Sequence, residues 1–170
     1  PSIHHALAGA TVIVNLSASD EATGKDKYRE SLVTGQSARL ISGYIYASAG
    51  EGESSTDLVF GGHSLIAENG ILLKESRRFM NETIYGDIDI RRLVSERRRM
   101  TTFQQQGQEG YEKIPFHLEI TPTELTRFID PMPFVPDSPG DREKRCEEIL
   151  MMQALGLKKR LEQEYGKPRI

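Results

Sequence analysis

The sequence predicts an α/β fold: a mixed sheet with helices on its faces. Three observations carry that prediction. Residues 10–25, ATVIVNLSASDEATGK, begin with the β-branched run Thr11, Val12, Ile13, Val14 and end in small polar residues and a lysine. A helix-period segment follows, and then a second apolar run, YIYASA, at 44–49. Strand, helix, strand is a βαβ unit, which builds parallel or mixed sheets. The first run is short, apolar and unbroken, as in a strand buried on both faces. Ligands of open α/β sheets sit beyond the carboxyl ends of such strands, which places Ser17, Ser19 and Lys25 where a small polar substrate would be held. A strand end followed by a Ser/Asp-rich turn accounts for the same spacing.

The remaining elements follow in order. Residues 1–10, PSIHHALAGA, read as a short helical lead-in, with Pro1-Ser2 at its start and Gly9 at its end. His4 and His5 are adjacent, so they cannot share a helix face as metal ligands, and no cysteine lies near. Residues 24–43 form a helix candidate. Tyr28, Leu32, Val33, Leu40 and Ile41 share its apolar face, while Lys27, Arg29, Glu30 and Arg39 take the other. Gly35 weakens this helix unless close packing on the sheet needs it. The Gly-rich loop 49–60, AGEGESSTDLVF, lacks the lysine and Ser/Thr of a phosphate cradle and carries Glu51, Glu53 and Asp57, so it reads as a shaped loop.

Short strands are expected at 58–60, 64–68 and 71–75. Asn69-Gly70 makes the last two an antiparallel hairpin. Residues 81–89 read as another strand, and Asp89 as the cap of a helix from Ile90 to about Thr102. That helix carries Arg91, Arg92, Arg97, Arg98 and Arg99 against Glu96. It could meet an anionic partner, but no aromatic residue interleaves to stack on bases, and a solvated face or subunit contact is the plainer reading. Residues 101–113 read as a mobile polar loop and 116–120, FHLEI, as a last strand with His117 packed or at an edge.

Prolines 115, 122, 131, 133, 136 and 139 mark an extended linker around 121–140. Ser138-Pro139-Gly140-Asp141 then opens a capped helix with Cys146, Ile149, Leu150, Gln153, Leu157 and Leu161 on one face and Gly166 and Pro168 as its stop. Cys146 reads as a buried structural thiol.

The chain has 170 residues, 37% of them hydrophobic and 28% charged, with a net charge of −3. That balance argues against general nucleic-acid binding. One cysteine excludes an internal disulfide framework and fits a reducing compartment. There is no membrane-length apolar run and no signal-peptide pattern, so the expected location is cytoplasmic. Pro1 in place of Met, close before a core strand, suggests a piece of a longer protein.

Several blocks, in order, carry a resemblance. NLSAS (15–19), Gly24-Lys25, QSAR (36–39), AGEGESSTDLVF (49–60) and ENG-LL-ES-RF (68–79) resemble the nitrilase-like glutaminase domain of glutamine-dependent NAD synthetases. PFVP (133–136) and EEI--MQALGLKKRL (147–161) resemble the linker and the first helix of their ATP-dependent synthetase domain. The resemblance implies part of a four-layer nitrilase-like sandwich. Residues 1–120 would be the C-terminal half of the glutaminase (carbon-nitrogen hydrolase) domain, 121–140 the linker, and 141–170 the first synthetase helix.

It also implies that Ser19 and Lys25 bind the substrate glutamine. The family's Cys, Glu and Lys triad has no counterpart here, so the isolated chain is expected to have no catalytic residue and no activity. The parent reaction would release ammonia from glutamine through a thioester and use it, with ATP and Mg, to amidate deamido-NAD to NAD. The implied partners are glutamine in this segment, ATP and deamido-NAD in the parent, and a second copy in a homo-oligomer. No cofactor, nucleic acid or membrane is expected on the fragment. A fragment of another nitrilase-type amidase, and a non-catalytic module acting through residues 91–99, are the competing readings.

Overall fold

The computed structural model describes residues 1–104, 106–122 and 124–165, with Tyr165 described by its backbone only. The chain divides into two compact units, Pro1–Arg127 and Phe128–Ile170. In the first, α1 (Ser2–Leu7) leads into β1 (Val12–Ser17), α2 (Lys25–Leu40) and β2 (Gly43–Ser48). The β1–β2 pair is parallel, in register from Val12 opposite Gly43 to Ser17 opposite Ser48, as the βαβ reading requires. β3 (Leu65–Glu68) and β4 (Ile71–Glu75) extend the sheet antiparallel, in the order β1-β2-β3-β4. Asn69 and Gly70 join them with φ of 45° and 88°. Both angles are positive, as a two-residue hairpin turn demands and as these two residue types tolerate. α3 (Ile90–Arg99) follows, its first turn capped by Asp89 Oδ1, which accepts from the Arg92 amide at 2.9 Å.

The core is small. Ala6, Ile13, Val33, Leu40, Tyr44, Tyr46, Leu65 and Ala67 form one buried cluster, with Leu72 and Phe103 packed against it. It lies between α2 and one face of the sheet. β1 is an edge strand, and only one of its faces is covered. Ile13 is buried, whereas Val14 is 61% and Leu16 82% exposed. The expectation of a strand buried on both faces is thus corrected: among the described residues no second layer covers Val14 and Leu16.

The helix α2 corrects a second expectation. Its buried stripe is Arg29, Val33, Ser37 and Leu40, while Tyr28 and Leu32 stand more than half exposed. Arg29 turns inward because buried acidic and imidazole partners await it, described below. Gly35 is exposed with nothing close to it, so no tight packing on the sheet requires it.

Residues 58–60, 81–89 and 116–120 are not strands. The 81–89 segment spends its polar groups on side chains instead of a ladder. The Asp89 amide donates to Glu68 Oε2 at 2.6 Å, and Asp87 Oδ2 accepts from both the Thr126 amide and its hydroxyl at 2.7 Å. In 116–120, Phe116, Leu118 and Ile120 are solvent-exposed, and His117 is an exposed coil residue.

Within the polar loop expected at 101–113, residues 106, 108 and 111 contact the end of α1 and the residues after it. The Gln106 amide donates to Leu7 O at 2.8 Å, Gln108 Nε2 donates to Ala8 O at 2.9 Å, and the Tyr111 hydroxyl lies 3.1 Å from His5 Nδ1.

In the second unit, coil precedes α4 (Pro139–Tyr165). Its start has the expected cap: the Asp141 amide donates to Ser138 Oγ at 3.1 Å, and the two side chains meet at 2.6 Å. Cys146 is exposed rather than buried, as are Ile149, Leu150, Leu157 and Leu161. Burying that stripe needs a facing layer, and none of the described residues of this unit supplies one. The expected stop at Gly166 and Pro168 falls outside the described residues.

Candidate functional site

Beyond the carboxyl end of β1, residues 18–24 turn back into α2, and Ser19 of this turn joins residues of β1, β2 and α2 around a cleft of about 290 Å³. Ser19 and Lys25 both line it. Asn15 and Tyr44 come from the sheet, and Tyr28, Leu32 and Gln36 from the helix. The alternation along β1 explains the polar floor. Residues 13, 15 and 17 face α2, so Asn15 lies beneath the cleft, where its Nδ2 donates to the Tyr44 hydroxyl at 3.2 Å. Ser17 is occupied within the fold: its Oγ accepts from the Tyr46 hydroxyl at 2.9 Å.

Lys25 opens α2 and folds back over the turn. Its Nζ donates to Asp20 O and Asp20 Oδ1, each at 2.7 Å. An ammonium has three N–H donors, so one remains for a ligand. The Lys25 ammonium, bonded to Asp20, holds that carboxyl below its ordinary range, leaving an anion beside the cation. Ser19 Oγ makes no hydrogen bond among the described residues. A free hydroxyl and one spare ammonium proton on the cleft wall are polar contacts suited to a small polar ligand.

Behind the turn lies a buried ionic chain. Arg29 Nη1 sits 2.6 Å from Glu21 Oε1 and 2.8 Å from His63 Nδ1. His63 Nε2 lies 2.7 Å from Glu75 Oε1. The Arg29 and Glu21 side chains are 4% and 5% exposed, and His63 is fully buried. A guanidinium can only donate, so His63 Nδ1 accepts and its Nε2–H points to Glu75. The Glu21–Arg29 contact is short but poorly aligned for a hydrogen bond; its attraction is chiefly Coulombic.

The basic helix α3 is divided in role. Arg97 is buried and donates to Ala10 O, Leu40 O and Ile41 O at 2.7–3.0 Å. It serves the fold, and Arg91, Arg92, Arg98 and Arg99 are left on the surface. No group of three or more His, Cys, Asp or Glu among the described residues could hold a metal ion. No described helix is long and apolar enough to cross a membrane. A larger cleft, about 580 Å³, lies against the uncovered side of β1 and the 108–113 segment. His5, Gln108, Tyr111 and Lys113 are among its lining residues; the Ser19–Lys25 cleft is the candidate because it lies where ligands of open α/β sheets are held.

Arg29, Asn15, Tyr44 and Gln36 were not singled out as site residues from sequence. The period-2 alternation from Ile13 points to Asn15, and Arg29 stands one helical turn beyond Lys25; those signals were available.

A parallel βα unit with a cleft lined from the turn at its carboxyl end defines an α/β protein with a candidate ligand site. The comparisons with known proteins make this more particular. No family model matches the chain. It is 41% identical, over 171 aligned positions, to the glutamine-dependent NAD(+) synthetases of Mycobacterium leprae and Mycobacterium tuberculosis. The alignments cover 95% of this chain and 25% of each relative, so the chain spans about a quarter of the length of the curated relatives it matches. The resemblance read from the sequence holds: this chain is homologous to a segment of glutamine-dependent NAD(+) synthetases.

Among solved structures, a glutamine-dependent NAD(+) synthetase from Cytophaga hutchinsonii overlaps 44% of this chain and 13% of its own, at 38% identity and a TM-score of 0.41. A carbon-nitrogen hydrolase from Helicobacter pylori overlaps 55% of this chain and 37% of its own, at 21% identity and a TM-score of 0.43. Both overlaps are partial, and the α/β assignment rests on the sheet itself.

Proposed function

We propose that this chain is the substrate-holding part of the glutaminase of a glutamine-dependent NAD(+) synthetase. In that reading residues 1–120 belong to a nitrilase-like domain, 121–140 link it onward, and 141–170 begin the ATP-dependent domain. Ser19 and Lys25 hold glutamine. The spare Lys25 N–H meets the α-carboxylate, and the Ser19 hydroxyl bonds the α-amino or carboxylate group. The amide end would then extend away from the turn to the nucleophile. The observation that carries the reading is the 41% identity across nearly the whole chain, which includes the polar turn on which Ser19 and Lys25 share a cleft.

Cleavage of the amide would take the Cys, Glu and Lys of the glutaminase family, which the resemblance leaves without counterparts in this chain. The isolated chain therefore binds glutamine without turning it over. ATP, Mg and deamido-NAD belong to the remainder of the parent enzyme, and no step is assigned to them on these residues. The uncovered face at Val14 and Leu16 supports association with a second copy, which sedimentation of the chain at rising concentration measures.

The test is NAD formation by the enzyme that carries this segment, driven by glutamine or by ammonia. Ser19→Ala is expected to raise the glutamine KM and spare the ammonia-driven rate. Equal glutamine KM values for the wild type and Ser19→Ala would remove Ser19 from the site. Absence of NAD formation from either nitrogen source would overturn the function.

A further inference from the structure

The turn at 18–24 has few bonds of its own. Its backbone contacts within the fold are the Glu21 amide to Val59 O at 2.7 Å and the Lys25 amide to Ala22 O at 3.1 Å. Ser19 and Asp20 have no backbone ladder to hold them. Their fixed points lie behind them. Glu21 reaches inward, and its carboxylate sits against Arg29, with Arg78 Nη1 at 3.8 Å on the other oxygen. Arg29 stands four residues after Lys25, on the same helix face. Asp20 O accepts from Lys25 Nζ at 2.7 Å and is approached by Arg29 Nη2 at 3.5 Å. His63 and Glu75 then fix the guanidinium from the sheet side.

Room for this arrangement is built into the facing loop. A Cβ on Gly61 would lie 2.6 Å from Glu21 Cγ, closer than any real side chain tolerates. Glycine at 61 is what lets Glu21 lie inward. Buried charges of this kind are expensive to hold away from water unless fully partnered. Arg29 Nε and both Glu21 oxygens lack well-aligned partners. A chain retained only for stability would be poorly justified by that geometry.

We propose that Glu21 and Arg29, backed by His63 and Glu75, are positioning residues that set where Ser19 and Lys25 present their polar atoms to the amino-acid substrate. This rests on the glutamine-binding reading above. Arg29 acts through the turn: it fixes Glu21 and the Asp20 carbonyl, and these fix Ser19 and the Lys25 ammonium. Binding of a small zwitterion depends on the separation of those atoms, so loosening the anchor weakens recognition before it affects any later step.

The test uses the full enzyme, with glutamine and ammonia as alternative nitrogen sources. Glu21→Gln keeps shape and removes charge, Gly61→Ala displaces Glu21 sterically, and Arg29→Lys keeps charge and loses the fork. Each is expected to raise the glutamine KM about tenfold with kcat nearly kept, since a shift of about 1 Å in a positioned group has effects of this size or larger. The ratio of glutamine-driven to ammonia-driven rate at low glutamine falls with it.

Arg29→Lys retains part of the binding that Arg29→Met loses. Thermal unfolding of each variant, run alongside, separates folding loss from KM. Unchanged KM in Glu21→Gln and Gly61→Ala, or parallel loss of glutamine- and ammonia-driven rates, overturns the positioning role. Ser19→Ala in the same assay distinguishes the two levels. If it raises KM while the anchor variants do not, only the positioning role fails. If it leaves KM unchanged, the binding reading beneath it fails.

Discussion

Replacing Arg97 by methionine tests how the base of the βαβ unit is held. A helix leaves its last carbonyls without intrahelical partners, at the negative end of its dipole. Arg97 supplies partners for two at the end of α2, Leu40 O and Ile41 O, each at 3.0 Å, and for Ala10 O, just before β1, at 2.7 Å. Its guanidinium also lies 4.9 Å from the Phe103 ring centroid. Hydrogen bonds from a charged donor contribute about 1.5–3 kcal/mol each, so three bonds set an upper bound near 5–9 kcal/mol. Water reduces that loss, because a cleft of about 310 Å³ beside Arg97 can admit it. The expected cost is about 3 kcal/mol, the lower end for breaking a buried charged contact. At a urea slope of about 2 kcal/mol/M the midpoint falls by about 1.5 M. Arg97→Lys retains one charge but cannot span three carbonyls, and falls between. Arg98→Met, on the exposed face, changes stability by less than about 0.5 kcal/mol. An Arg97→Met midpoint indistinguishable from that of Arg98→Met would refute the reasoning.

Three further outcomes follow from the geometry. Arg127 grips Glu68, which is 2% exposed, through three donor–acceptor contacts of 2.9–3.1 Å and reaches Asp87 O at 3.4 Å. Arg127→Ala strands the Glu68 carboxylate and is expected to cost about 3 kcal/mol in urea unfolding, while pairing it with Glu68→Gln recovers much of the loss. Gly70→Ala forces a side chain into φ of 88° and against Ala38 Cβ at 3.0 Å, a destabilisation of about 1–2 kcal/mol visible in the same assay. The Thr126 hydroxyl and amide hold the Asp87 carboxyl below its ordinary value of 3.8. A depressed carboxylate contributes stability above its unfolded pKa that is lost as pH falls through the folded one. Unfolding below about pH 4 should therefore be less steep in Asp87→Asn than in the wild type, and identical acid limbs would contradict this.

Local physics explains what was legible beforehand. The βαβ order follows from two short apolar runs on either side of a helix-period segment. The Asn69-Gly70 turn follows from two residues that accept positive φ, and the starts of α3 and α4 follow from side chains that reach their own first turn. Of the candidate site, Ser19 and Lys25 could be named because a strand's carboxyl end is a topological position. The strand expected at 81–89 failed because its alternation was genuine while its hydrogen-bonding partners, Glu68 and Thr126, lay 21 and 39 residues away from Asp89 and Asp87.

By itself, then, the sequence determined the βαβ unit, the hairpin and the starts of α3 and α4, because each depends on residues within a few positions of one another. Only the tertiary structure decided which faces are covered and which charges are buried. Leu16 looks like core and stands in solvent, because none of the described residues forms a layer over it. Arg29 and Arg97 look like surface and are buried, because their partners, His63 at 34 residues' distance and the carbonyls of Leu40 and Ile41 at 57 and 56, come together only when the chain folds. Burial is a property of what packs opposite a residue, and no local pattern of side chains contains it.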